Sequence, residues 1–167
     1  MKKSALKSFI KFVIKEIMEP ERPFFRPVSI EMSRKAMNTM LDKMKKSIND
    51  ILDAVYRRNE YDATKFHEFL ATYEDILLKF SIYWANVSYK HNPKLKDRID
   101  NVMKAFRDNM VEINEQVGKI IISIVSNDYV TTIYGRKHLS DIFERVRELI
   151  DELLQISIDS GFGPKRS

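Results

Sequence analysis

Apolar residues recur at steps of three and four along most of this 167-residue chain, and helix breakers are scarce among them. Between residues 28 and 158 there is one proline, Pro93, and there are two glycines, Gly118 and Gly135. Steps of three and four turn one face of an α-helix toward a shared core, so the pattern predicts long amphipathic helices rather than strands.

A first short helix is expected over residues 4–18, with Leu6, Ile10, Val13 and Ile17 as its apolar stripe and Phe9 and Ile14 widening it. Pro20, Pro23 and Pro27 end it, because each lacks an amide proton and restricts the residue before it. Ser29 then supplies an N-cap for a second helix, with Glu31 in the first turn favouring the dipole. Its seam reads Met37, Leu41, Met44, Ile48, Ile51 and Val55. The polar run Arg57-Arg58-Asn59-Glu60 and the cap Asp62 mark a turn. A third helix follows through Phe66, Leu70, Tyr73, Leu77, Phe80, Trp84 and Val87, and a second row of Phe69, Ile76 and Tyr83 predicts it to be the most enclosed.

Asn92-Pro93 provides the next break, with asparagine as cap and proline at the first helical position. The fourth helix shows Ile99, Val102, Phe106, Met110, Ile113, Val117, Ile120 and Ile124. Residues 127–136 read two ways, because Val130-Thr131-Thr132-Ile133-Tyr134 is rich in β-branched residues that prefer strands. The last helix is expected from Ser140 or Asp141, where Asp141 and Glu144 make a capping box, with Ile142, Val146, Leu149, Leu153 and Ile156 as its seam. Trp84 and Met37, Met40, Met44 and Met110 are expected in the core, and Gly118 is expected to allow a close helix approach or a bend.

The implied fold class is all-α: an up-and-down antiparallel bundle of four main long helices with an additional N-terminal amphipathic helix. Residues 1–27 form a basic helix and a proline-rich connector, 28–159 the bundle domain, and 160–167 a flexible tail.

Composition narrows the chemistry. The chain has no cysteine, which removes thiolate catalysis, zinc-thiolate sites and disulfides together. A chain of this length buries roughly 70% of its unfolded surface, so its core needs no such staple. The formal net charge is +5, concentrated toward the start: residues 1–27 carry seven Lys/Arg against three Asp/Glu, and residues 28–60 seven against five. Lys7, Lys11 and Lys15 interrupt every apolar run that would serve a secretory signal, and no run approaches the roughly 18 residues of a membrane span, so cytoplasmic residence is expected.

Motifs for catalysis or metal binding are missing. The positions three residues before His67, His91 and His138 are Thr64, Ser88 and Gly135, so no carboxylate shares a helix face with a histidine in the manner of a di-iron site. The Arg-to-His spacing of helical-bundle ribonucleases is absent as well, because no arginine lies four to six intervening residues before any histidine. Gly161-Phe162-Gly163 has no preceding strand to make it a phosphate cradle. Asp108/Glu112 and Glu148/Glu152 read as solvated faces balanced by Lys104, Arg107 and Arg145. Neither a catalytic residue nor a metal or cofactor is expected.

The remaining lead is the N-terminal charge. Lys3, Lys7, Lys11 and Lys15 sit four apart and make a basic stripe beside the apolar one. Arg22, Phe24, Phe25 and Arg26 add a cation–aromatic cluster suited to phosphates and unpaired bases. The alternative structural role is that the lysines solvate an outer face while the two phenylalanines plug one end of the bundle. The expected function is therefore a non-enzymatic binding or assembly module that contacts DNA or RNA through those residues. A protein–protein adaptor or oligomeric structural subunit without nucleic-acid contact is the alternative, with a protein partner or a homodimer as its assembly, followed by a hydrolase whose site is assembled across helices and a peripheral membrane protein.

Overall fold

The computed structural model describes residues 29–58 and 60–161. They form four long helices: α1 (Ile30–Tyr56), α2 (Ala63–His91), α3 (Lys96–Val125) and α4 (Tyr129–Asp159), with a 3₁₀ turn at Pro93–Leu95. The described residues contain no strand, and the four helices pack against one another.

Each joint follows from local chemistry. The Ser29 hydroxyl accepts from the Met32 amide at 3.4 Å and opens α1. Arg58, at φ 57°, turns the chain out of α1. The Asp62 carboxylate then accepts from the Lys65 amide at 3.1 Å and opens α2. Asn92 accepts from the Lys94 amide at 3.2 Å while Pro93 starts the 3₁₀ turn. Ser160 and Gly161 close α4, the glycine at φ 98°, where a side chain would be strained.

The predicted seams fill one core. Met37, Leu41, Met44 and Ile48 of α1, Leu77, Phe80 and Trp84 of α2, and Phe106, Ile113 and Ile120 of α3 are wholly buried, joined by Ile142, Val146 and Leu153 of α4. Met40 and Met110 are buried too. Tyr73 and Val87 of α2 and Ile124 of α3, predicted on their seams, are only partly covered, and the other two seams change residue. In α1 the buried residue after Ile48 is Leu52, with Ile51 and Val55 only partly covered. In α4, Ile150 is buried and Leu149 partly so. The α1 shift fits a straight helix of 3.6 residues per turn, which drifts past a repeat of 3.5, whereas in α4 the predicted Leu153 and Ile156 are fully buried and only one position changes.

Three further expectations are corrected. Phe69 does not broaden a buried face; it is 57% exposed. Accordingly α2 is not the most enclosed helix, since it buries eight of its 29 residues and α4 buries eleven of 31. The last helix begins at Tyr129 rather than at Ser140 or Asp141, so residues 129–136 are helical and Gly135 lies inside α4.

Polar pairs tie the helices at matched heights. Arg34, Asp42 and Asp53 of α1 meet Asp151, Arg147 and Arg136 of α4 at 3.4, 2.7 and 3.1 Å. Arg98 of α3 meets Glu152 and Asp159 of α4 at 3.0 and 2.9 Å, and Glu112 meets His138 at 2.9 Å. Glu74 of α2 accepts from the Asn114 amide group of α3 at 2.6 Å, and the buried Ser88 and Ser157 hydroxyls lie 2.8 Å apart between α2 and α4.

Candidate interaction surface

The residues singled out from the sequence for nucleic-acid contact, Lys3, Lys7, Lys11, Lys15, Arg22, Phe24, Phe25 and Arg26, lie outside the described residues. So do the predicted N-terminal helix, its connector and residues 162–167 of the predicted tail. Among the described residues the other candidates do not converge. His67 is exposed on α2 with its ring 5.5 Å from that of Phe66, His91 ends that helix, and His138 pairs with Glu112. Glu112 also takes Arg145 at 3.4 Å, while Glu152 is held by Arg98, so one member of each acid pair sits in an ordinary surface ion pair. No group of three or more His, Asp or Glu among the described residues is placed to hold a metal ion. None of the described helices is long and apolar enough to cross a membrane.

The unusual surface lies where α3 passes into α4. Asn127 adopts φ 56°, the left-handed conformation that asparagine tolerates better than most residues. Its amide donates to the Ile124 carbonyl at 3.1 Å, and the Asp128 amide donates to the Ser123 carbonyl at 2.9 Å. These paired bonds are a Schellman closure of α3. Asp128 is at once the N-cap of α4: its carboxylate accepts from the Thr131 amide at 3.1 Å and from the Thr131 hydroxyl at 2.6 Å. Those two bonds, the hydroxyl first, hold the Asp128 carboxyl below the usual carboxylate range. Three residues, Ser126, Asn127 and Asp128, thus end one helix and start the next.

Packing behind the joint is close. A Cβ on Gly135 would meet Ile120 Cγ1 at 2.8 Å and Gln116 Nε2 at 3.0 Å, so the absent side chain lets α4 seat against α3. The close-approach glycine is therefore Gly135, not Gly118, beside which nothing lies within 4 Å. One turn nearer the tip, the buried Ser123 and Thr132 hydroxyls are 2.7 Å apart, which satisfies both without water.

With Gly135, Thr132, Ser123 and Ile120 facing inward, the neighbouring apolar residues face out. Ile122 and Val125 of α3, Tyr129, Val130, Ile133 and Tyr134 of α4, and Tyr56 at the end of α1 are each 60–70% exposed. Tyr56, Val125 and Tyr129 share a cleft of about 510 Å³ with Arg58. Val130 and Tyr134 line a shallower groove of about 330 Å³ with Lys119 and His138. From Ile120 to Tyr134 the only charged side chain is Asp128, and its carboxylate is occupied in capping. The two grooves share no lining residue and Ile122 and Ile133 line neither, so these seven exposed residues are distributed about the joint.

Reading the β-branched run for its strand preference hid this surface. A usable signal was present: residues 120–134 hold more large apolar side chains than one helix face can bury. The Ser-Asn-Asp triplet between two such runs also marks a helix stop followed at once by a helix start. No family model, curated protein or solved structure matches the chain.

Proposed function

We propose that the protein is a non-enzymatic binding and assembly module of the cytoplasm, whose helix bundle is a rigid scaffold and whose α3–α4 joint is the contact surface. The bundle runs up-and-down in this reading. Support comes from the cross-helix pairs: residue numbers rise along α1 from Arg34 to Asp53 as those on α4 fall from Asp151 to Arg136. They rise along α3 from Arg98 to Ser123 as those on α4 fall from Asp159 to Thr132. Glu74 opposite Asn114, across a three-residue turn, is consistent with the same alternation for α2 and α3.

The observation that carries the reading is the concentration of seven exposed large apolar residues about a joint fixed by backbone caps and close packing. Tyrosine and branched aliphatic residues, presented on a rigid support, give contact area at low entropic cost. The test is site-specific photo-cross-linking in the cells that produce the protein, with benzoylphenylalanine at Tyr134 and, as control, at the exposed Glu148 of the same helix. Discrete adducts at position 134, absent at 148 and lost when Ile133→Glu is added, are the expected result. A tip that yields no adduct refutes the reading.

Nucleic-acid contact is a second and separable reading, supported by the +4 charge of residues 1–27 and the four-residue spacing of Lys3, Lys7, Lys11 and Lys15. It calls for DNA and RNA binding that weakens steeply with salt and flattens when those four lysines become glutamine. Absence of binding at low salt disposes of it.

A further inference from the structure

We infer that the cleft at the end of α1, where Tyr56, Val125 and Tyr129 meet Arg58, is a binding site for a small organic anion built on a flat unsaturated ring.

Two backbone outliers point there. Among the described residues only two besides glycine take a positive φ, Arg58 at 57° and Asn127 at 56°, and both line this cleft. Each stands just past the end of a helix, where a left-handed residue is common and glycine the usual choice. The close of α4 uses Gly161 in that place. Asparagine tolerates the conformation, whereas arginine is strained in it, and strain of this kind gathers at ligand sites. The Arg58 amide donates to the Val55 carbonyl and the Asn127 amide to the Ile124 carbonyl, each at 3.1 Å, so both side chains start from fixed backbone.

Charge selects an anion. Arg58 is the only charged residue in the lining, and it forms no ion pair among the described residues. Asp53 holds Arg136 at 3.1 Å, the Asp128 carboxylate is turned to Thr131, and Glu60 is exposed and outside the lining. A guanidinium without a counter-ion presents a planar fork of donors that matches a carboxylate or a phosphate. The groove between α2 and α3, by contrast, is smaller and has the Asp100 carboxylate in its lining.

The remaining lining selects a ring. Tyr56 of α1 and Tyr129 of α4 are each 60% exposed, and Val55, Ile124 and Val125 add aliphatic surface between the helix ends. Flat rings stack on tyrosine faces and pack on branched aliphatic groups. The Asn127 amide group both donates and accepts, which suits a polar ring edge. The volume of about 510 Å³ lies within the roughly 300–1,000 Å³ of small-molecule sites.

Full-length protein is titrated and followed by amide chemical shifts. Indole-3-acetate and uridine monophosphate carry a ring and an anion, acetate an anion alone, and tryptamine a ring with a cation. The ring anions are expected to shift the amides of Arg58, Asn127 and Tyr129 saturably, and to bind at least about tenfold more tightly than acetate or tryptamine. Whichever of the two binds tighter identifies the anionic group as carboxylate or phosphate. Arg58→Gly removes the cation and relieves the backbone at once, so binding falls about tenfold or more while the protein melts no lower than the parent. Arg58→Lys keeps the charge without the fork and weakens binding less. Lys119→Gln, in the separate groove, leaves affinity unchanged.

Ring anions that bind no better than acetate, shifts that map away from the cleft, or affinity that survives Arg58→Gly overturn the inference. Binding by an oligouridine strand but by neither free ring anion overturns it as well, because the occupant is then a nucleic acid. Adducts at Tyr134, in the separate groove, judge the protein contact independently.

Discussion

Replacing Gly135 by alanine sets two effects of known sign against each other. Alanine in a helix interior is favoured over glycine by about 1 kcal/mol. At Gly135 the new methyl would lie 2.8 Å from Ile120 Cγ1, an inner methylene of a side chain that is itself fully buried. It would also lie 3.0 Å from Gln116 Nε2, which is the end of a flexible side chain and can swing away. Overpacking against a fixed core group costs typically 1–3 kcal/mol, so the net expectation is a loss of about 0–2 kcal/mol. Gly118 is the internal control: it sits in the middle of α3 with open space around it, so Gly118→Ala keeps only the helical gain. The two variants should therefore differ by about 1–3 kcal/mol, which at roughly 2–4 °C per kcal/mol for a chain of this size is readable as a melting-temperature gap. Urea unfolding followed by helical dichroism gives the free energies directly. Adding Ile120→Ala removes the obstructing Cγ1, so the double variant should be less damaged than the sum of its parts. If Gly135→Ala stabilises as much as Gly118→Ala, the close approach of α3 and α4 is not as described, and the outward facing of the strip loses its cause.

Two further predictions use titration. Burial raises the Glu74 carboxyl above its usual value, against the lowering effect of its bond from Asn114, so the charged form is disfavoured in the fold. The penalty is absent below the unfolded carboxylate range and grows as pH rises through the folded value; Glu74→Gln should therefore melt higher than the parent at pH 7 and equal to it in acid, and equal melting at both would refute the account. Asp128 has the opposite sign: its lowered pKa stabilises the fold above the unfolded carboxylate range and the benefit disappears as pH falls through the folded value, so Asp128→Ala should lower the melting temperature at pH 7 and flatten the acid limb of the stability profile. Persistence of the full acid limb in that variant would count against the capping role.

Much of the bundle was legible because helix signals are local. Ser29, Asp62 and Asn92-Pro93 are caps that act within three residues, and each sits where its residue type predicts. The seams of α1 and α3 were readable because apolar spacing and burial share one period, up to the drift that replaces Ile51 by Leu52. The start of α4 was obscured by a conflict between two local cues. Strand preference in residues 130–134 amounts to a few tenths of a kcal/mol per residue, and it yields to the Asp128 cap, the Schellman closure at Asn127 and the seat of Gly135 on Ile120.

The amino-acid order alone determined that long amphipathic helices would form, where two of the three joints between them would fall and most of the residues that would make the core, because those outcomes depend on neighbours within a turn or two. It also determined the excess of positive charge toward the start of the chain. Only the tertiary structure decided which apolar residues were left over. The seam already set Ile120 apart from Ile122, but not that Gly135 of the next helix would seal Ile120 while Val130, Ile133 and Tyr134 beside it stay in solvent. That distinction rests on the distance between two helix axes at one height, a quantity that no single helix carries.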